Sequence, residues 1–152
     1  IHGTTYASCA GAYASHIFTS VRGSGAYYNG SAITESNEAK TEVLDVSPEL
    51  LIEHGAGSEA VAKRMAERVR MLFHSDFAIA TTGIAGPDGG SDETPVGTAW
   101  IGISGPSGVL ALKFQMDNHR ERNIRKAALQ GLQMVRKEIL QAIGISLLES
   151  LD

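Results

Sequence analysis

Three apolar segments follow one another closely in the middle of the chain: FAIATTG (77–83), GTAWIGIS (97–104) and GVLALKFQM (108–116). They read as buried strands. GPSG (105–108) is a tight turn that makes the last two an antiparallel hairpin. Amphipathic helices stand on either side of the set. In SEAVAKRMAERVRMLFHS (58–75), Val61, Met65, Val69 and Leu72 point inward, while Lys63, Arg64, Glu67 and Arg70 point outward. A long helix runs from His119 to Ile143, with Ile124, Ala128, Leu132, Val135 and Ile139 as its buried stripe and Gly144 as its stop. Buried strands between helices predict an α/β fold: one three-layer α/β/α domain around a mixed, mostly parallel sheet.

The first half extends this pattern. TTYAS (4–8) is the end of a strand that begins earlier. CAGAYASHIFTSV (9–21) predicts a helix with Ala14, Ile17, Phe18 and Val21 on one face, stopped by GSG at 23–25. AYYNGSAIT (26–34) predicts a strand with a glycine kink. SNEAKTEVLDV (36–46) is a helix capped by Ser36 or Asn37, and SPELLIEHG (47–55) is one capped by Ser47, with Pro48 at its first position and Gly55 as its stop.

A chain of 152 residues, 43% hydrophobic and 20% charged, buries one ordinary core, so residues 1–152 are read as a single domain. It opens abruptly at Ile1, which leaves a lost start open. A net charge of −4 argues against a general nucleic-acid surface or binding to an anionic membrane. No apolar run reaches the ~18 residues of a membrane span. Cys9 is the one cysteine and cannot form an internal disulfide, which fits a reducing cytoplasm. The five histidines (2, 16, 54, 74, 119) make no metal-ligand spacing with Cys9 or one another, so no metal site is expected.

The stretch TTGIAGPDGGSDETPVGT (81–98) is too long for a simple hairpin loop. It begins at the C-terminal end of a buried strand, where open α/β sheets bind ligands. Gly83, Gly86, Gly89 and Gly90 let backbone amides approach a ligand, and Thr81 and Thr82 put a hydroxyl nearby. A long surface turn is the plainer reading, since the loop lacks the G-K-[ST] of a phosphate-binding Walker sequence. In ASCAG (7–11), Ser8 stands at a strand-to-helix junction, suited to a nucleophile or an anion site, though by residue type the helix cap has the stronger claim. Cys9 reads as a small buried residue rather than a nucleophile. In HRERNIRK (119–126), positive charge crowds a helix start against the macrodipole, at about 0.3–1 kcal/mol per charge in the first turn. A bound phosphate and a solvated face explain this equally well. Arg120, at the loop–helix boundary, is the functional candidate. Lys40 in ESNEAK is a solvated helix residue unless it shares a pocket with Ser8.

In this order the segments resemble the C-terminal domain of CinA, the competence/damage-inducible family, whose relatives are nicotinamide mononucleotide (NMN) amidohydrolases. TTGIAGPDGG followed by PVGTAWIGI is close to the family signature; TSVRGSGAYYNG, SNEAK and EHGAGSEAVAKRMAE match the intervening segments. The resemblance covers about Tyr6 to Ile143. It implies a mixed sheet between helices, NMN as substrate, no metal or cofactor, and a homodimer or larger homo-oligomer. Residue by residue, it implies that Ser8 is the nucleophile, Lys40 the base, and Thr82 a catalytic threonine. Arg120, with Gly83, Gly86 and Glu35, would bind the substrate and its phosphate. The family's first motif reads roughly E-S-C-T-G-G; here Ala7, Ala10 and Ala12 replace Glu, Thr and Gly. Glu35 stands where a tyrosine is usual, and Thr94 where a lysine is.

Attack on a carboxamide by a serine needs a base. No Ser-His-Asp set is evident, and Ser8 with Lys40 is the available pair. Lys40 serves only if burial or nearby positive charge lowers its pKa. Helix amides after Ser8, Thr82 or the glycine-loop amides are the oxyanion donors on offer. Direct attack by water, oriented by Ser8 and Thr82, is the other route. An inward Glu35 is expected to raise the pKa of Lys40 and hold it protonated, giving weak or absent activity that Glu35→Tyr restores. The alternative is a catalytically weakened module that binds a nucleotide or a protein.

Overall fold

The computed structural model describes residues 1–7 and 10–144, and of residues 4–7 the backbone alone. Five strands form one sheet in the order β2-β1-β3-β4-β5: β1 (Gly3–Ala7), β2 (Tyr28–Ile33), β3 (Phe77–Gly83), β4 (Thr98–Gly105) and β5 (Gly108–Gln115). β1 pairs in parallel with β2 and β3, and β4 pairs antiparallel with β3 and β5. Four strands thus point one way and β4 alone opposes them, the mixed, mostly parallel sheet that the apolar runs predict. The kink expected in β2 is a register shift: Gly3 pairs with Tyr28 but Thr4 with Gly30, leaving Asn29 as the extra residue.

Among the described residues, five α-helices cover the two faces: α1 (Gly11–Thr19), α2 (Asn37–Leu44), α3 (Pro48–His54), α4 (Glu59–Leu72) and α5 (Arg120–Ala142). Side chains alternate along β3 and so divide the core. Ala78 and Ala80 pack with Leu44, Leu51, Val61, Met65 and Val69 of α2–α4. Phe77 and Ile79 pack with Ala14, Ala127, Ala128 and Val135 of α1 and α5. Val61, Met65 and Val69 are wholly buried, worth about 1.5–3 kcal/mol each. Ser36, Ser47 and Ser58 cap α2, α3 and α4, their hydroxyls accepting from the amides of Ala39, Leu50 and Val61. Each cap contributes about 1 kcal/mol.

Some expected core positions are corrected. Val21 and Leu72 are about half exposed, because α1 ends at Thr19 and Leu72 occupies the last position of α4. The most buried line of α5 is Asn123, Ala127, Ala128, Gly131 and Val135; of the expected stripe, Ile124, Leu132 and Ile139 are only partly buried. The helix lies too close to the sheet for large side chains at its centre line. A Cβ at Gly131 would fall 2.9 Å from Ile79 Cγ2. Among the described residues, no helix is long and apolar enough to cross a membrane.

Candidate functional site

The parallel strands bring their C-terminal ends together. Ala7 of β1 pairs with Ile33 of β2 on one side and Thr81 of β3 on the other. From these ends the chain passes into α2 and into the glycine loop, 84–97. Between them lies a cleft of about 270 Å³, lined by Glu35, Lys40, Thr82, Gly83, Gly86 and Arg120 together with Asn37, Ala56, Asp88 and Gly89. A larger groove of about 410 Å³ runs between α2 and α3. It contains none of the residues expected to carry chemistry, so the smaller cleft is the candidate site.

Lys40 is 3% exposed, not a solvated helix residue. The Ser36 cap fixes the first turn of α2, and from it the Lys40 Nζ turns back to donate to the carbonyls of Thr34 and Glu35, each at 3.4 Å. Burial pushes its pKa below the ordinary lysine value. The Glu35 carboxylate pulls the other way and is the weaker influence. Glu35 thus raises the Lys40 pKa as the sequence predicts, but burial outweighs it and sets the net direction. Glu35 is exposed, so water screens its charge, whereas Lys40 has lost its own hydration. The neutral amine, the form able to accept a proton, is therefore favoured relative to a surface lysine.

Thr82 is 1% exposed, and its hydroxyl donates to the carbonyl of Ala56 at 2.7 Å, tying β3 to the segment between α3 and α4. Serving as an oxyanion donor requires that bond to be exchanged. Thr81 points to the opposite face of the sheet; its buried hydroxyl has no hydrogen-bond partner among the described residues.

The glycine loop is anchored at both ends. A Cβ at Gly83 would collide with the carbonyl oxygen of Thr98 and approach Ala99 Cα to 2.8 Å. Gly86 has φ +90°, and its Cβ would fall 2.5 Å from Val96 Cγ1. Backbone bonds cross the loop from Ile84 N to Thr98 O (2.9 Å), from Gly97 N to Ile84 O (2.8 Å) and from Met116 N to Gly97 O (2.8 Å). Arg120, the first residue of α5, reaches the loop from the opposite layer and donates through Nη1 to the Gly86 carbonyl at 3.0 Å. Of the basic cluster at 119–126, only Arg120 lines the cleft. Arg125 lies over the Tyr13 ring, 5.9 Å from its centroid. The backbone N–H of His119 holds the Asp117 carboxyl below the usual carboxylate range, with Lys126 and Arg122 adding to the effect. The solvated-face reading suits those residues.

Lys40, Thr82, Gly83, Gly86, Glu35 and Arg120 thus converge from three segments far apart in sequence. Ser8 and Cys9 lie outside the described residues, and the capping position of α1 is Ala10, which makes no side-chain cap bond. Sequence reasoning missed Asp88, Asn37, Ala56 and Asn123. Asp88 was in view within GPDGG. Ala56 acts through its carbonyl and Asn123 from inside a helix, and neither leaves a signal in residue type. The cleft offers a buried amine, two carboxylates, a guanidinium and a bent glycine backbone, a set that suits a small ligand carrying both positive and negative charge.

A model of the CinA C-terminal domain family matches residues 4–139. A CinA-like protein of Cytophaga hutchinsonii is 47% identical over 135 residues, covering 89% of this chain and 32% of its own length. One of Flavobacterium psychrophilum is 42% identical, covering 91% of this chain and 33% of its own. The chain thus spans about a third of these curated relatives. Among solved structures, the competence/damage inducible protein CihA of Agrobacterium tumefaciens superposes with a TM-score of 0.86 at 32% identity, covering 89% of this chain and 83% of that one. The competence damage-inducible protein A of Klebsiella pneumoniae gives 0.86 at 32% identity, covering 91% and 86%.

Proposed function

Because the chain belongs to the CinA C-terminal domain family, we propose that its cleft hydrolyses the carboxamide of NMN to nicotinate mononucleotide and ammonia. The observation that carries this reading is Lys40, a buried amine of lowered pKa opening onto a cleft that also holds Thr82, Arg120 and the glycine loop. A lysine held toward its neutral form is what a serine or a water needs as base. Ser8 follows directly on Ala7, whose backbone lies between the ends of β2 and β3.

In this mechanism Lys40 Nζ takes the proton as the Ser8 oxygen attacks the amide carbon. The same proton passes to the departing nitrogen, which leaves as ammonia, and water then hydrolyses the acyl-serine by the reverse relay. Direct attack by a water that Lys40 deprotonates gives the same products. Glu35 and Asp88 favour the pyridinium cation, and Arg120 with the loop amides favours the phosphate. The domain acts as a homodimer or larger homo-oligomer.

The test is ammonia release from NMN by the purified protein, with nicotinamide as the control amide. Turnover of NMN is expected, lost in both Ser8→Ala and Lys40→Met; no release between pH 6 and 10 sinks the reading. Arg120→Ala is expected to raise KM for NMN about tenfold while changing kcat little, and to leave nicotinamide riboside, which lacks the phosphate, nearly unaffected. Equal losses on both substrates rule out phosphate recognition. A second reading, a binding module without turnover, is favoured by Ala7, Ala10 and Glu35 in place of the family's usual residues. It predicts NMN binding by calorimetry with no ammonia.

A further inference from the structure

Asn123 is a polar side chain 1% exposed in the core-facing line of α5, one turn after Arg120. Its position is not explained by packing. Ala127, Ala128 and Val135 occupy the same helix face, and an apolar residue there would avoid the cost of burying an amide. The two hydrogens of its Nδ2 go to two different segments: to the carbonyl of Ala85 at 3.0 Å, in the glycine loop, and to the carbonyl of Asp117 at 2.8 Å, just before α5. Ala85 is next to Gly86, whose carbonyl receives Arg120 at 3.0 Å. Asp117 in turn accepts the amide of His119, the cap of α5. One amide therefore ties the loop on one side of the cleft to the helix start that carries the guanidinium on the other. Its Oδ1 is buried with no hydrogen-bond partner among the described residues. The residue thus gives up an acceptor to satisfy two carbonyls, a cost that packing alone would not sustain.

We propose that Asn123 is a positioning residue: by clamping Ala85 to Asp117 it sets the distance between the glycine loop and Arg120, and so the affinity of the cleft for the phosphate of its ligand. It touches no substrate and acts through Arg120 and the loop. The inference rests on the reading of the cleft as a nucleotide site, but the clamp itself can be tested without any turnover.

The experiment compares wild type with Asn123→Asp, which keeps the shape and loses both donors, and Asn123→Ala, which removes the amide. Backbone hydrogen exchange is measured at the amides of Ile84 and Gly97, which are hydrogen-bonded across the loop, and, as an internal reference, in β4. Kinetics are measured on NMN and nicotinamide riboside, and NMN binding by calorimetry. The expected result is faster exchange at Ile84 and Gly97 with β4 unchanged in both variants. The NMN KM (or Kd, should the protein bind without turnover) should rise about tenfold, or about 1.4 kcal/mol, with kcat nearly unchanged and the riboside little affected. Part of the Asn123→Asp loss should return at low pH, where a protonated carboxyl again donates one bond. If exchange at Ile84 and Gly97 stays at the wild-type rate, the clamp does not exist, whatever the activity. If exchange accelerates but NMN and the riboside weaken equally, Asn123 supports the fold and not phosphate recognition, and the proposal falls. Should one variant fail to fold, the other carries the same two readouts. Absence of NMN turnover and binding in the wild type defeats the functional reading, and the exchange result still decides the clamp.

Discussion

Two connections flank β4, and they solve the same geometric problem at very different lengths. β3–β4 and β4–β5 are both antiparallel neighbours. The second pair turns on Pro106 and Ser107 alone, with Gly105 and Gly108 already paired. The first uses the whole of 84–97. A two-residue turn is enough to reverse a strand, so the added length of the first connection does not serve the reversal. It is also held differently. The short turn needs only its own strands. The long loop is tied to distant segments: to α5 through Arg120 and Asn123, and to the end of β5, where Gln115 Nε2 donates to Val96 O at 3.0 Å. Long-range ties on a loop at the C-terminal ends of parallel strands mark it as a built wall of the cleft.

The largest expected effect separates the two connections by function. Excision of residues 88–93 removes Asp88 and Gly89 from the cleft and should lower NMN turnover by at least about a thousandfold, because the reacting groups lose their positioning. Folding should suffer little, since loop-closure entropy changes by only about 0.6 kcal/mol per halving of length. Ser107→Ala in the short turn should alter both turnover and stability by no more than about 0.5 kcal/mol. Turnover that survives the excision would make the long loop as idle as the short turn.

The next effect compares how firmly the connections are seated. Gly83→Ala forces a methyl against the Thr98 carbonyl, an unyielding backbone atom, and should cost about 3 kcal/mol or more. Gly108→Ala meets nothing within 4 Å and carries only the strain of φ +129°, about 1–2 kcal/mol. Thermal midpoints rank the two; an equal or reversed order removes the claim that the long loop is the more tightly anchored.

The smallest effect concerns pH on the wall opposite the loop. Burial lowers the Lys40 pKa in the folded protein below 10.5. The unfolded chain therefore binds more protons between the two values. The penalty is full below the folded pKa and fades as pH rises toward 10.5. Lys40→Met should accordingly raise the thermal midpoint most at neutral pH and least near pH 10. In turnover, the rise with pH should come earlier than for an ordinary lysine. Glu35→Gln removes the one influence that raises the Lys40 pKa, so it should move that rise to lower pH and increase the neutral-pH rate by less than about tenfold, as the exposed carboxylate is well screened. A shift to higher pH would contradict the electrostatic account.

Much of the fold could be read directly from the sequence. Two serine caps (Ser36 and Ser47), a Pro48 helix start, the GPSG turn and three apolar runs each act over a few residues, and each is where the sequence puts it. The misjudged positions have two causes. The stripe of α5 is shifted onto Asn123, Ala127 and Gly131 because the distance between helix and sheet, a property of the whole stack, selects small side chains. Val21 fails as a core residue because its helix ends two residues earlier.

The candidate site divides in the same way. The sequence by itself determined which residue types stand at strand ends and helix starts: the flexible glycines, Thr82, Lys40 and Arg120, each next to a local stop or cap. Only the tertiary structure decided that Lys40 is buried and Glu35 is not, which reverses the expected balance of charge on the amine. The same assembly joined Asn123 to Ala85 across 38 residues. Hydrogen-bond propensity and turn chemistry are written in neighbouring residues. Desolvation and long-range bonding arise when layers stack, and no stretch of sequence holds both partners.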